Sequence, residues 1–140
     1  VKKLVQNNIP VMGHVGILPQ TDMKFTFKGK KQQESDIILN DTKLLENAGA
    51  FSIVLECIET KLSKKITDNL LIPTIGIGSS ANCDGQVLVL HDLLGITMDF
   101  SPRFLRRYLN LADEIDGAIK QYCDDVRQGD FPNESESYTS

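Results

Sequence analysis

"FSIVLECIETKLSKKITDNL", residues 51–70, places a continuously apolar run directly before an amphipathic one. From Phe51 to Cys57 there is no polar alternation, which is the pattern of a parallel strand covered on both faces. Over 59–70, Leu62, Ile66 and Leu70 recur at i, i+4 and i+8 with lysines opposite, which predicts a helix with one apolar stripe. A buried strand leading into a surface helix is one βα unit. In folds built from such units, functional groups gather at the C-terminal ends of the strands, and here a carboxylate, Glu56, stands at that end.

The unit recurs on both sides. Residues 9–16, "IPVMGHVG", read as a buried strand entered through Pro and closed by Gly. Residues 35–49 carry Ile37, Ile38, Leu44, Leu45 and Ala48 at helical spacing, with Ser35 as the expected N-cap and Gly49 as the stop. Residues 72–78, "IPTIGIG", form a third strand and repeat the Ile-Pro-x-x-Gly of the first. A helix is expected over 85–94, "GQVLVLHDLL", while "RFLRRYLN", 103–110, reads equally as a short strand or a helix start. A further helix is expected over 111–128, with Leu111, Ile115, Ala118, Ile119, Tyr122 and Val126 along one stripe, followed by a polar, loosely held tail. Repeated βα units predict an α/β fold with a parallel sheet, either a (β/α)8 barrel or a doubly wound sheet. Three or four units are present where a barrel needs eight, so the barrel reading implies half of one. The expected division is 1–131 as that half-barrel and 132–140 as the tail.

The composition narrows the function classes. The chain has 140 residues, 41% of them apolar, which suits one domain with a core of its own. Its net charge of −4, spread along the chain, argues against a nucleic-acid surface. No apolar run approaches the ~20 residues that span a bilayer, and residues 1–18 lack the pattern of a signal peptide. Cys57, Cys83 and Cys123 are odd in number and irregularly spaced, against a disulfide framework or a zinc site. A reducing cytoplasm is the expectation. The opening Val-Lys-Lys, without an initiator Met, raises the expectation of a piece of a longer protein.

Three features fall at strand ends. Glu56 has an ordinary explanation as a helix N-terminal carboxylate or a lysine partner, but Glu59 already fits the first-turn role. That leaves Glu56 as a candidate general base, with partial burial expected to raise its pKa. His14, in "GHVG", has a commoner alternative as a hydrogen-bonded core residue; Gly13 and Gly16 are read as leaving open space that favours ligand contact. The "GIGSS" turn, 76–80, is either a ligand-cradling turn or a place of close backbone packing, with Gly76, Gly78 and Ser79 as candidate contacts. "KFTFKGKK", 24–31, reads as a solvated loop or an active-site lid. His91 reads as a locally bonded helix residue, and Asp84 and Asp92 as caps or solvated groups rather than metal ligands.

"IPVMGHVGILPQ" (9–20), "AGAFSIVLECI" (48–58), "IPTIGIGSSANCDGQVLVLHDLLGI" (72–96) and "PRFLRRYLNL" (102–111) resemble, in order and spacing, the C-terminal half of ketopantoate hydroxymethyltransferases. The resemblance implies a (β/α)8 TIM barrel of which this chain supplies strands five to eight, "RFLRRY" being the short last one. It implies a cytoplasmic homo-oligomer on the pantothenate route. In that family Mg²⁺ chelates 3-methyl-2-oxobutanoate, a Glu removes its C3 proton, and the enolate attacks the methylene carbon of 5,10-methylenetetrahydrofolate to give 2-dehydropantoate. By position in "VLEC", Glu56 matches the base; by position in "GHVG", His14 matches the histidine beside the keto acid; Gly76, Gly78 and Ser79 fall on the folate side.

Several departures accompany the resemblance. The two Mg²⁺-binding aspartates and the keto-acid lysine belong to the first half of the barrel, so no metal ligand is expected in this chain and the chain alone is expected to be inactive. The loop after "LPQ" is short, the usual "GIGAG" reads "GIGSS", and Glu136 stands before Ser137 and Tyr138 where the family has His. Two other readings compete: a related Mg²⁺-dependent α-keto acid barrel enzyme, and a non-catalytic half-barrel used for binding or assembly.

Overall fold

A computed structural model describes residues 1–19 and 26–138, so Gln20 and the start of the lid candidate at 24–25 lie outside the described residues. The described chain forms two compact units, Val1–Leu88 and Val89–Ser140.

In the first unit a short helix α1 (Lys2–Val5) precedes β1 (Met12–Gly16), α2 (Gln32–Asn47), β2 (Ser52–Glu56), α3 (Thr60–Asn69), β3 (Thr74–Ile77) and β4 (Gly85–Gln86). The strands pair in parallel in the order β1-β2-β3-β4. One core joins Val15, Ile53 and Leu55 of the sheet to Ile38 of α2 and to Leu62 and Ile66 of α3. Both crossover helices therefore pack on the same face. A sequential parallel sheet with its crossover helices on one face is an α/β fold, as the repeated βα units predict.

β2 is continuously apolar because it lies between two neighbours, and Ile53 and Leu55 have no exposed surface. Ile53→Ala is expected to destabilise the fold by about 2–5 kcal/mol, read as a lower urea midpoint at an unchanged slope.

The helix ends follow local chemistry. Glu59 caps α3, its carboxylate accepting from the Leu62 amide at 2.9 Å, so the first-turn role is filled without Glu56. Gly49, at φ +92°, ends α2; its amide donates to Glu46 O and the Ala50 amide to Leu45 O, a Schellman pair. Ser35 is not the N-cap: α2 starts at Gln32, and the Ser35 amide donates to Lys31 O. Glu34 instead ties the helix start down, its carboxylate accepting from the Gly29 amide at 2.7 Å.

Two expected elements differ. Residues 85–94 do not form one helix: Gly85–Gln86 join the sheet, the Val87 amide donates to Gly76 O at 3.0 Å, and helix α4 covers only Leu90–Leu93. The backbone can lie against β3 there because a Cβ on Gly85 would already stand 3.0 Å from Ile75, and the Gln86 amide group is anchored to Ser80 O at 2.7 Å. In the second unit, 103–110 is neither strand nor helix. Its Arg107 guanidinium donates to the carbonyls of Thr97, Met98 and Phe100, so a side chain replaces the ladder that a strand would need. Helix α5, Leu111–Gln128, has the expected bounds and stops at Gly129, φ +74°. Among the described residues, no helix is long and apolar enough to cross a membrane.

Candidate active site

The register sets which side chains share a face. His14 pairs with Val54 and Val54 with Ile75; Gly16 pairs with Glu56 and Glu56 with Ile77. Side chains alternate along a strand, so His14, Val54, Glu56, Ile75 and Ile77 lie on the face away from α2 and α3. Glu56 and His14 meet there, with Glu56 Oε2 3.1 Å from His14 Nε2. The Glu56 side chain is 10% exposed and the His14 ring 35%. The same Nε2 lies 2.9 Å from the Ile17 carbonyl oxygen. Two acceptors on one ring nitrogen require that this nitrogen carry the hydrogen, so Nε2–H is shared between Ile17 O and the Glu56 carboxylate.

Burial pushes the Glu56 carboxyl above its ordinary range, an effect that the nearby His14 partly offsets. Burial also raises the neighbouring Cys57 thiol, with the Glu56 charge adding to it. Cys57 itself is in the left-handed region at φ +52°, which turns the chain sharply just after the carboxylate. The turn is fastened on several sides. The Cys57 amide donates to Ile77 O and its carbonyl accepts from the Lys28 amide, each at 2.8 Å. The Ser79 hydroxyl donates to Leu55 O at 2.7 Å and accepts from the Ile58 amide at 3.0 Å.

The glycines beside His14 do not leave the open space expected of them. A Cβ on Gly13 would stand 3.1 Å from Leu45 Cδ1, and one on Gly16 would stand 2.0 Å from Glu56 O. They permit close approach of α2 and of the β2 backbone, while His14 itself lies on the sheet face away from α2 and α3. A cavity of about 320 Å³ lined by His14, Val15, Asp41, Leu44 and Leu45 lies beside β1, and Glu56 does not line it.

In the "GIGSS" turn, Gly76 pairs with Leu55 and so lies on the helix side, where a Cβ would stand 2.8 Å from the Gln86 amide nitrogen and 3.1 Å from Cys83 Sγ. Gly78 is left-handed at φ +62°. Ser80 Oγ accepts from the Asn82 amide at 3.1 Å and so closes the turn. Asp84 accepts from the Thr74 amide and hydroxyl at 2.8 and 3.0 Å, which hold its carboxyl below the usual range; rather than capping a helix it ties the chain before β4 to the start of β3. His91 lies on α4. Among the described residues, no three His, Cys, Asp or Glu side chains converge to hold a metal ion.

Neither the Ser79 bridge nor the left-handed Cys57 was readable from the sequence. The hydroxyl acts on residues 21 and 24 positions away, and no Gly or Asn marks the turn at position 57.

The ketopantoate hydroxymethyltransferase family model matches residues 1–134. A 3-methyl-2-oxobutanoate hydroxymethyltransferase of Flavobacterium johnsoniae is 50% identical over 141 residues, covering 99% of this chain and 52% of that relative. Relatives of the same name from Syntrophus aciditrophicus and Pelagibacter ubique are 48% and 51% identical over 99% of this chain, which covers 52% and 53% of their lengths. The chain thus spans about half the length of the curated relatives it matches. The chain belongs to the ketopantoate hydroxymethyltransferase family.

Proposed function

We propose that this chain supplies the general-base half of an enzyme that transfers a hydroxymethyl group from 5,10-methylenetetrahydrofolate to 3-methyl-2-oxobutanoate, giving 2-dehydropantoate for pantothenate synthesis. The observation that carries this reading is the buried Glu56 carboxylate at a strand end, with raised pKa, held beside His14 on the sheet face away from α2 and α3. Glu56 accepts the C3 proton of the keto acid. The electron pair left at C3 forms the new bond to the methylene carbon, whose two bonds to folate nitrogens break; tetrahydrofolate leaves with the C3 proton and one proton of a water molecule, and that water supplies the hydroxyl. His14 orients the carboxylate through Nε2–H and borders the keto acid. The turn containing Gly76, Gly78 and Ser79 forms the folate side, chiefly through its backbone, since the Ser79 hydroxyl is already engaged.

The remaining half of the protein completes a (β/α)8 barrel, adding its strands beyond β1, the edge strand among the described residues. It also brings the ligands for Mg²⁺. Left open, such an edge invites association with other strands. The assembled enzyme is a cytoplasmic homo-oligomer, for which the free thiols of Cys57, Cys83 and Cys123 suit a reducing compartment.

The full-length gene product, given keto acid, Mg²⁺ and methylenetetrahydrofolate, is expected to form 2-dehydropantoate and to need all three. The isolated 140 residues are expected to form none. Product from the isolated chain would refute the half-site reading. Turnover of the full-length protein only with another keto acid or one-carbon donor would favour the related barrel enzyme instead.

A further inference from the structure

We propose that His14 is the base for the water that becomes the new hydroxyl, taking a proton from it at Nδ1; this rests on the general-base reading of Glu56. The transfer needs two proton acceptors. One takes the C3 proton of the keto acid, the task assigned to Glu56. A second must take a proton from water, because the carbon that arrives from the folate carries no oxygen.

The hydrogen bonds of the imidazole leave one nitrogen for this work. His14 Nε2 lies 2.9 Å from Ile17 O and 3.1 Å from Glu56 Oε2, and both atoms accept, so the ring hydrogen stays on Nε2. A neutral imidazole with its hydrogen on one nitrogen carries a lone pair on the other. Among the described residues nothing bonds that other nitrogen, Nδ1, and the His14 side chain is 35% exposed. The Glu56 carboxylate on Nε2–H stabilises the imidazolium that forms when Nδ1 gains a proton, as the acid of a catalytic triad supports its histidine. The neighbouring groups are engaged elsewhere. The Ser79 hydroxyl spends its hydrogen on Leu55 O, Glu59 caps α3, Asp84 accepts from Thr74, and burial keeps the Cys57 thiol protonated.

The step balances with these two residues. One C–N bond of the donor breaks, and its electron pair goes to that folate nitrogen. Water oxygen bonds to the methylene carbon as its proton passes to Nδ1, and the imidazolium returns that proton to the freed nitrogen. Glu56 then removes the C3 proton, and the electron pair at C3 displaces the second nitrogen, which receives the proton from Glu56. Both residues end as they began.

The test uses the full-length enzyme and two reactions. Exchange of the C3 hydrogen of 3-methyl-2-oxobutanoate in D2O, followed by NMR with Mg²⁺ and no folate, reads the base alone. Formation of 2-dehydropantoate reads both residues. His14→Gln keeps an N–H donor at the place of Nε2–H and has no basic nitrogen. It is expected to lower transfer by about 10²–10⁴-fold and exchange by no more than about tenfold, so the ratio of transfer to exchange falls. Should H14Q fail to fold, H14N reads the same ratio: its shorter amide gives up Glu56 and slows both reactions, and transfer falls further only if Nδ1 has a task of its own. Equal losses in the two reactions would overturn the proposal and leave His14 as support for Glu56. Transfer close to that of the parent would overturn it too. Glu56→Gln in parallel keeps the two readings apart: exchange that survives in E56Q sinks the base assignment itself, whereas exchange lost in E56Q beside an unmoved ratio in H14Q sinks only the water role of His14.

Discussion

Glu56→Gln in the full-length enzyme is expected to lower kcat by about 10²–10⁴-fold, the usual contribution of a positioned general base. The same substitution is expected to leave the fold as stable as before, or more so. Burial is the larger influence on this carboxyl and raises it, while His14 acts in the opposite direction. The folded-state pKa therefore lies above the unfolded one, and between the two values the folded chain holds more protons. Stability then falls as pH rises through that window, and above it the ionised carboxylate weakens the fold. Glutamine keeps the shape and removes the charge. Turnover and thermal melting measured side by side separate a catalytic role from a structural one. Loss of turnover together with a lower melting temperature would count against a base, and near-normal turnover would reject it outright. For the unaltered enzyme, kcat/KM should decline on the acidic side at a pH above the ordinary carboxylate range.

Gly16→Ala is expected to cost about 3 kcal/mol or more, combining a left-handed backbone with a hard steric conflict. Gly16 has φ +107°, and an added Cβ would stand 2.0 Å from the Glu56 carbonyl oxygen, which is backbone and cannot swing aside. The damage would reach the site as well. Gly16 pairs with Glu56 in the sheet, the next amide, Ile17, donates to Glu56 O at 3.0 Å, and Ile17 O holds the His14 ring. A urea midpoint close to that of the parent would show this reading to be wrong. Gly117→Ala is the matching control: nothing lies within 4 Å of its Cβ position in α5, so the change should stabilise the helix by up to about 1 kcal/mol.

Both substitutions act at the end of β1 or β2, where the sequence was most informative and also most incomplete. The run Ile53-Val54-Leu55 showed a strand with neighbours on both sides, because continuous apolarity is a local property of the chain. Glu59 was readable as the cap of α3, since capping involves residues three apart, and this removed the plainest alternative for Glu56. Gly49 was readable as a stop for the same reason, whereas Ser35 misled because Glu34 and the Gly29 amide fix the helix start from outside the helix.

Over 85–94 the apolar residues suited a helix, but a neighbouring strand took their backbone hydrogen bonds. At 103–110 the ambiguity between strand and helix ended in neither, with Arg107 binding three carbonyls across a loop. Gly13 and Gly16 were legible as special positions, but whether their lack of a side chain served a ligand or a neighbour depended on what packs beside them.

By itself the sequence determined the alternation of strand and helix, the apolar stripes, and the placing of a carboxylate and a histidine at strand ends, since each follows from residues within a few positions of one another. Only the tertiary structure decided that Glu56 and His14 share one face at 3.1 Å and that Ser79 bridges the turn between them and β3. It also decided that Cys57 accepts a left-handed backbone there. The physical reason is that strand register and close packing bring together groups dozens of residues apart, and local periodicity carries no record of which groups those are.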